Sequence, residues 1–339
     1  MTTDLRLGLN LGYWQRDADD ATEVVRLAER LGYESVWTAE AYGSDAFTPL
    51  AWYGARTSRI KLGTSVAQIS ARPPVTTAMT AMTLDHLTGG RLILGVGASG
   101  PQVVEGWYGQ AFPRPLARTR EYVEIMRKVW RRAEPVISDG PHYPLPYPGG
   151  TGLGKPLKLI THPRRAEIPL YLGAEGPKNV ALAAEIGDGW LPLFTFPGKI
   201  GQMYGEALSG ARPGFDIAAM VMVVITDDVR AALDGVKMML TLYIGGMGAK
   251  NRNFHADIMA RLGFTEAVRE IQSLYLAGRR DEAFNAIPDE LADGISLVGP
   301  LGRIRERLEA WRKSPVTSLL IMGPRDETSL RAVRDLVLG

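Results

Sequence analysis

Three glycines, Gly95, Gly97 and Gly100 in "GGRLILGVGASG", follow an apolar run and spell G-x-G-x-x-G. A dinucleotide site with that spelling needs the glycines to turn at once into a helix, inside a unit of about 30 residues, with an acid about 20 residues further on. Here Pro101, Gly106, Pro113 and Pro115 interrupt the following segment, the strong helical pattern starts only near residue 117, and the next strong strand lies near 168. Glu121 stands at the required distance but falls inside that helix instead of at a strand end. The context denies a nucleotide fold. Glycines leaving a strand permit either a tight exit or the close approach of a flat ring or phosphate to bare backbone.

A second constellation, "GAEGPKNVALAAEI", is better suited to an anion. A strand ends at Gly173, and Pro177 stands where the first helical residue belongs, a position that tolerates its missing N–H. The N–H groups of Gly176, Lys178 and Asn179 would then be free, and with the helix dipole and the Lys178 ammonium they form a candidate phosphate cradle. An ordinary helix cap is the alternative. The four histidines, His86, His142, His162 and His255, lack metal-ligand spacing, so no metal site is expected, and His86 reads as structural. No Ser-His-Asp order, P-loop or zinc signature occurs.

The elements that must position these groups alternate. Strands begin near 5, 35, 60, 91, 168, 189, 217 and 316, with amphipathic helical patterns such as "ATEVVRLAERLG" between them. Repeated β-α units imply parallel strands with helices outside, and eight of them close into an α/β, (β/α)8 TIM barrel. A doubly wound open sheet with a second domain is the alternative fold. Two stretches interrupt the repeat: a Pro- and Gly-rich insertion at about 133–167, and a helical insertion at about 245–296. In the first, Tyr143, Tyr147, Leu153 and Leu157 favour a partly packed loop, and Lys155, Lys158, Arg164 and Arg165 make it locally basic. No linker separates parts of the chain, so residues 1–339 read as one domain.

Composition sets the outer bounds. Of 339 residues, 45% are hydrophobic and 22% charged, which suits a sizeable core. A net charge of +2 gives no global field for nucleic acid or an acidic membrane, so neither is expected as a partner. The absence of cysteine excludes disulfides and thiolate metal sites. "MTTDLRLGLNLGYW" lacks a basic and apolar leader, and no run is long enough to span a bilayer, so the expected location is the cytoplasm.

"GAEGPKNVALAAEIGDGWLP", "LDHLTGGRLILGVGASG" and "LGTSVAQIS", in that family's order with "WTAEAYGSDAFTPLAW" and "GPQVVEGWYGQ", resemble the luciferase-like superfamily, most of all its coenzyme F420-dependent oxidoreductase branch of actinobacterial type. The likeness runs from the first strand to near the C-terminus. It implies a barrel with the deazaflavin F420 at its C-terminal rim, and a homodimer. It also implies a non-proline cis peptide behind the ring, at Ser65–Val66. By motif, Glu40 matches the position at the deazaflavin head. Gln68, Ala98 and Ser99 match other cofactor-facing positions, with Gly97 delivered to the same rim. Gly173, Ala174, Glu175, Gly176, Pro177 and Lys178 match the phosphate end.

Sugar-phosphate dehydrogenases of that family carry a catalytic His directly after the strand-two acid, and here Ala41 stands there. Their Glu after the strand-four glycines corresponds to Gly100. Sugar-phosphate oxidation by that route is therefore not expected. Glu40 is the candidate catalytic residue, as hydrogen-bond partner or in proton transfer. Tyr13, Trp14, Tyr42, Trp107 and Tyr108 are candidate walls of the substrate slot. Arg164, Arg165, Lys155 and Lys158 could meet the anionic tail of the cofactor, though a solvated charged loop is the simpler expectation. Three functions stay open: an F420-dependent oxidoreductase passing hydride to or from a small C=C, C=O or alcohol substrate; a monooxygenase using reduced FMN and O₂; and a non-catalytic F420- or flavin-binding protein.

Overall fold

Leucine- and valine-rich runs such as Leu92–Gly97 are buried along their whole length, as strands covered on both faces must be. The computed structural model describes residues 4–248 and 253–339; the first three residues of the leader reading, and 249–252 of the second insertion, lie outside the described residues. Its strands are β1 (Arg6–Gly12), β2 (Ser35–Thr38), β3 (Lys61–Thr64), β4 (Ala67–Gln68), β5 (Leu92–Gly97), β6 (Leu170–Gly173), β7 (Gly189–Leu191), β8 (Asp216–Ile225), β9 (Ser296–Gly299) and β10 (Ser318–Met322). Around the barrel the order is β10-β1-β2-β3-β5-β6-β7-β8, every pairing is parallel, and β8 pairs with β10 to close the ring. These eight are the strands expected from the sequence.

Between the strands run α1 (Thr22–Leu31), α2 (Phe47–Gly54), α3 (Pro74–Leu87), α4 (Pro101–Gly106), α5 (Pro115–Arg131), α6 (Pro177–Ile186), α7 (Ile200–Leu208) and α8 (Val229–Thr241). A π-turn (Leu242–Gly246), α9 (Phe254–Met259), a second π-turn (Ala260–Phe264), α10 (Thr265–Leu276), α11 (Arg280–Asn285) and α12 (Asp289–Gly294) form the second insertion. The chain ends through α13 (Leu301–Arg312) and α14 (Glu327–Leu338).

Two elements differ from expectation. β9 is an added strand: the ten-residue β8 gives Ala218–Met222 to β10 and Met222–Ile225 to β9. α4 is the other: Pro101 opens a helix of only six residues, and the long helix α5 starts at Pro115, two residues before its expected start, so no long helix follows the glycines directly; proline at a first helical position forfeits an N–H that has no partner there.

Trp37, Ile93, Tyr171, Leu191, Ala218 and Leu320 fill the barrel interior. Its floor is polar: the Asp216 carboxylate receives Tyr171 Oη at 2.7 Å, Ser318 Oγ at 2.9 Å and the Arg6 guanidinium at 2.7 Å. The second insertion builds its own core around Val236, Leu240, Ile244, Met259, Ile271 and Leu291.

The first insertion joins α5 to β6 along the floor side. Tyr143 packs on Tyr122 and bonds Arg118, but Tyr147, Leu153 and Leu157 are 71%, 86% and 68% exposed, so of the four apolar residues expected to pack only Tyr143 does. Arg165 clasps Asp85 (2.7 and 3.1 Å) where α3 ends and β5 begins, and Lys158 donates to Ala133 O. Arg165 is thereby committed to the floor, opposite the rim, and is unavailable for an anionic tail there. His86 Nε2 lies 2.7 Å from the His162 carbonyl, a structural bond as expected.

Candidate active site

The C-terminal rim is shaped by an interruption in the third strand. β3 stops at Thr64, the Ser65–Val66 peptide is cis where the resemblance placed one, and the chain resumes as β4 against Val96 and Gly97. Thr64 Oγ1 donates to Gly95 O at 2.7 Å and accepts from Gly95 N at 2.9 Å, so a side chain replaces the missing ladder bonds. Gly97 and Gly173 flank the Val66 side chain: a Cβ on Gly97 would stand 2.6 Å from Val66 Cγ2, and one on Gly173 3.0 Å from Cγ1. The second glycine of the false fingerprint therefore serves the bulge.

Glu40, just beyond β2, is buried beside that bulge. Its Oε1 accepts from Gln68 N (2.8 Å) and Arg72 Nη1 (2.6 Å), and its Oε2 from Ala46 N (3.1 Å) and Arg72 Nη2 (2.9 Å). Those four bonds use the carboxylate's acceptor capacity. Burial works against charge on Arg72, but the bonds and charge of Glu40 outweigh it and hold the guanidinium above its ordinary basicity. Arg72 was invisible to sequence reasoning: nothing in "ARPP" signals that it reaches across the rim to Glu40.

Gln68 Nε2 donates to Glu40 O at 3.0 Å, while its Oε1 is buried without a partner; so are Ser65 Oγ and Ser70 Oγ. Orphaned acceptors of this kind mark where a ligand bonds. At the exit of β5, Ala98 and Ser99 are half-buried, Ser99 adopts a left-handed φ of 59°, and Gly100 precedes α4.

At the exit of β6, Ala174 O accepts from Trp190 Nε1 (2.8 Å) and Glu175 O from Tyr204 Oη (2.9 Å), which pins the turn. Burial pushes the Glu175 carboxyl up to about 8, with Arg261 opposing. Gly176 O receives Asn179 N and Val180 N, both at 2.9 Å, so the Asn179 N–H is engaged within the helix start and not free as expected. The N–H groups of Gly176 and Lys178 have no partner among the described residues, and a Cβ on Gly176 would meet nothing within 4 Å. Pro177 and Lys178 are exposed beside that open ground.

Of the aromatic candidates, Tyr13 and Tyr42 meet edge-on at 6.4 Å and Tyr108 Oη donates to Ala41 O at 3.2 Å. Burial raises the Tyr13 and Tyr108 hydroxyls above their ordinary range. Trp14 is half-buried with its backbone N–H on Ser44 Oγ, and Trp107 is 65% exposed, so Trp107 walls nothing in this conformation. Phe194, just beyond β7, packs edge-on with Tyr243 and His255 of the second insertion, and Tyr243 lies near enough to Tyr13, Glu175 and Tyr42 to feel their charge.

The model of the family described as luciferase-like monooxygenase matches residues 4–318. The chain belongs to the luciferase-like monooxygenase family. A Mycobacterium tuberculosis protein whose name proposes a coenzyme F420-dependent oxidoreductase is 55% identical to this luciferase-like chain, over 99% of each. Among solved structures, the coenzyme F420-dependent tetrahydromethanopterin reductase of Methanopyrus kandleri superposes with a TM-score of 0.79 at 22% identity, covering 99% of both chains. An F420-dependent secondary alcohol dehydrogenase in complex with an F420–acetone adduct superposes with a TM-score of 0.78 at 18% identity, covering 100% of both. Those two superpositions establish the luciferase-like barrel fold. No helix among the described residues is long and apolar enough to cross a membrane.

Proposed function

We propose that this chain is a coenzyme F420-dependent oxidoreductase acting on a small organic substrate. The observation that carries the reading is the match along 99% of the chain, at 55% identity, to a relative named for that cofactor. The rim fits such a guest. Gln68 Oε1 and Ser65 Oγ are orphaned acceptors at the Val66 bulge, Gly97 and Gly173 keep its flanks bare, and Gly176 and Lys178 offer unpaired N–H groups to a phosphate. Ser65, Val66, Gln68, Gly97, Ala98 and Ser99 would hold the ring end, and Gly173, Ala174, Glu175, Gly176, Pro177 and Lys178 the phosphate end.

Bound there, a deazaflavin supplies or accepts a hydride in a two-electron step. The protein's share is positioning and exclusion of water. Glu40 fixes the Gln68 backbone and the Arg72 guanidinium, and its filled carboxylate makes it a positioning residue instead of a proton donor. Tyr13, Tyr42 and Tyr108 wall the mouth. The same reading carries the expectations of a homodimer in the cytoplasm, to be checked by analytical ultracentrifugation and fractionation.

Titration of the purified protein with F420 and with FMN, read by fluorescence quenching, tests the choice. Saturable F420 binding with turnover on a panel of carbonyl, enone or alcohol substrates is the expected result. Tight FMN binding with none for F420 would overturn it in favour of a monooxygenase, and F420 binding without turnover in favour of a binding protein.

A further inference from the structure

The first insertion leaves α5 and returns to β6 along the floor, and the middle of it is moored to the barrel at three carbonyls. Val136 N donates to Leu157 O (2.9 Å), Arg132 Nε donates to Leu159 O (2.6 Å), and His86 Nε2 of α3 lies 2.7 Å from His162 O. Leu159 packs against the main core. The residues around it do not: Leu153 and Ile160 are 86% and 91% exposed, and Tyr147 and Leu157 also stand in water. Two more exposed apolar side chains adjoin the moorings. Ile137 follows the residue bonded to Leu157 O, and Leu87 follows His86. Apolar side chains scattered singly over a surface need no explanation, but six gathered on one short segment and its moorings mark a binding face.

Charge decides what that face takes. Residues 151–165 hold four cations, Lys155, Lys158, Arg164 and Arg165, and no acid. Arg165 is committed to Asp85. The other three, with Arg131 and Arg132 at the end of α5, form no ion pair among the described residues. The acids of the insertion, Glu134, Asp139 and Glu167, lie outside that stretch. A second copy meeting this face across a twofold axis would set five cations against their own images, which repel. Nucleic acid would answer the charge and leave the aliphatic side chains idle. An anionic bilayer answers both: its acyl boundary receives aliphatic side chains, its headgroup phosphates receive cations, and tyrosine suits the level between them. The net charge of +2 for the whole chain conceals this local excess.

We propose that the floor of the barrel docks on an anionic phospholipid surface, with Leu153, Leu157 and Ile160 in the headgroup–acyl boundary and Lys155, Lys158 and Arg164 on lipid phosphates. The attachment is peripheral and reversible, since a few aliphatic side chains bury far less than a spanning helix. The rim with Glu40 and the Val66 bulge is at the other end of the barrel, so docking leaves the mouth open to water. It needs no cofactor and is independent of the hydride-transfer reading.

Flotation of the full-length protein with unilamellar vesicles tests the docking, using phosphatidylglycerol mixed with phosphatidylcholine against phosphatidylcholine alone. Binding should be tighter to the anionic vesicles by about 10-fold or more, and should weaken by a similar factor between about 0.1 and 0.5 M salt. Leu153→Ser combined with Leu157→Ser should weaken it by about 10-fold or more and leave the melting midpoint in place, because both side chains are exposed. The chain has no cysteine, so Ile160→Cys takes a single environment-sensitive fluorophore. Its emission should move to the blue with anionic vesicles, while the same label on Trp107→Cys, at the rim, should not respond. Absence of binding to anionic vesicles at low salt would refute the proposal, and so would binding that the two serines leave unchanged. A label response that follows protein concentration without lipid, with sedimenting dimers that the serine variant splits, would give the face to a second copy. Tighter binding of RNA than of anionic vesicles would give it to nucleic acid.

Discussion

Replacing Arg72 with alanine strips the guanidinium from a carboxylate whose side chain is 4% exposed. Two backbone donors, Gln68 N and Ala46 N, would remain on Glu40, but no compensating charge. Removing one partner of a buried pair costs about 3–5 kcal/mol, and the low end, about 3, applies because Arg72 itself keeps a 21% exposed side chain and those donors persist. For a chain of 339 residues the unfolding entropy is about 0.7 kcal/mol/K, so the midpoint should fall by about 4 °C. Glu40→Gln removes the other charge, and the double variant should be less damaged than the two singles together by more than about 1 kcal/mol. F420 affinity should fall as well, since Glu40 fixes both the N–H and, through its carbonyl, the amide of Gln68. Thermal and urea melts of the four proteins, with quenching titrations, supply the numbers. Additivity within about 0.5 kcal/mol would refute the claim that the pair acts as a unit.

Gly97→Ala places a methyl 2.6 Å from Val66 Cγ2, and overpacking of this kind costs about 1–3 kcal/mol; a quenching titration should show the F420 site weakened, and an unchanged affinity would count against the Val66 bulge as the ring's seat. Arg165→Ala leaves Asp85 buried and unpaired on the floor, so stability should drop by about 3 kcal/mol in a urea melt with F420 affinity intact. Glu175 binds its proton more tightly folded, with a value of about 8, than unfolded, so its contribution is full below about pH 4.5 and is lost as pH rises through 8. Glu175→Gln should therefore melt higher than wild type at pH 9 and lose that advantage at pH 4; parallel pH profiles for the two proteins would exclude a burial-shifted carboxyl.

Local pattern made the barrel legible. Its eight strands are short runs buried on both faces, so each reads as an apolar stretch without needing its neighbours. Gly32 ends α1 in the left-handed region at φ 87°, and Pro177 starts α6, both by local backbone preference. β9 escaped because it stands off the barrel ring, paired only with the far half of β8, so the eightfold β-α repeat has no place for it. α5 starts at Pro115, two residues ahead of the expected start near 117, because proline fits the first helical position where its missing N–H has no partner.

The sequence by itself determined which residues form the eight barrel strands and most helices, favoured a closed barrel over an open sheet, and put the glycines of the fourth strand at its rim, while the place of Glu40 came from the family resemblance. The strands, helices and glycines follow from periodicity and backbone preference, which act over a few residues. Only the tertiary structure decided what those residues meet. Glu40 lost its expected freedom to Arg72 at a separation of 32 residues, Gly97 found its purpose in Val66, and Arg165 went to the floor. His255 met Phe194 and Tyr243 only when α9 folded against them. Such partners are set by barrel register and by where the insertions dock, and neither leaves a trace in the spacing of one chain segment.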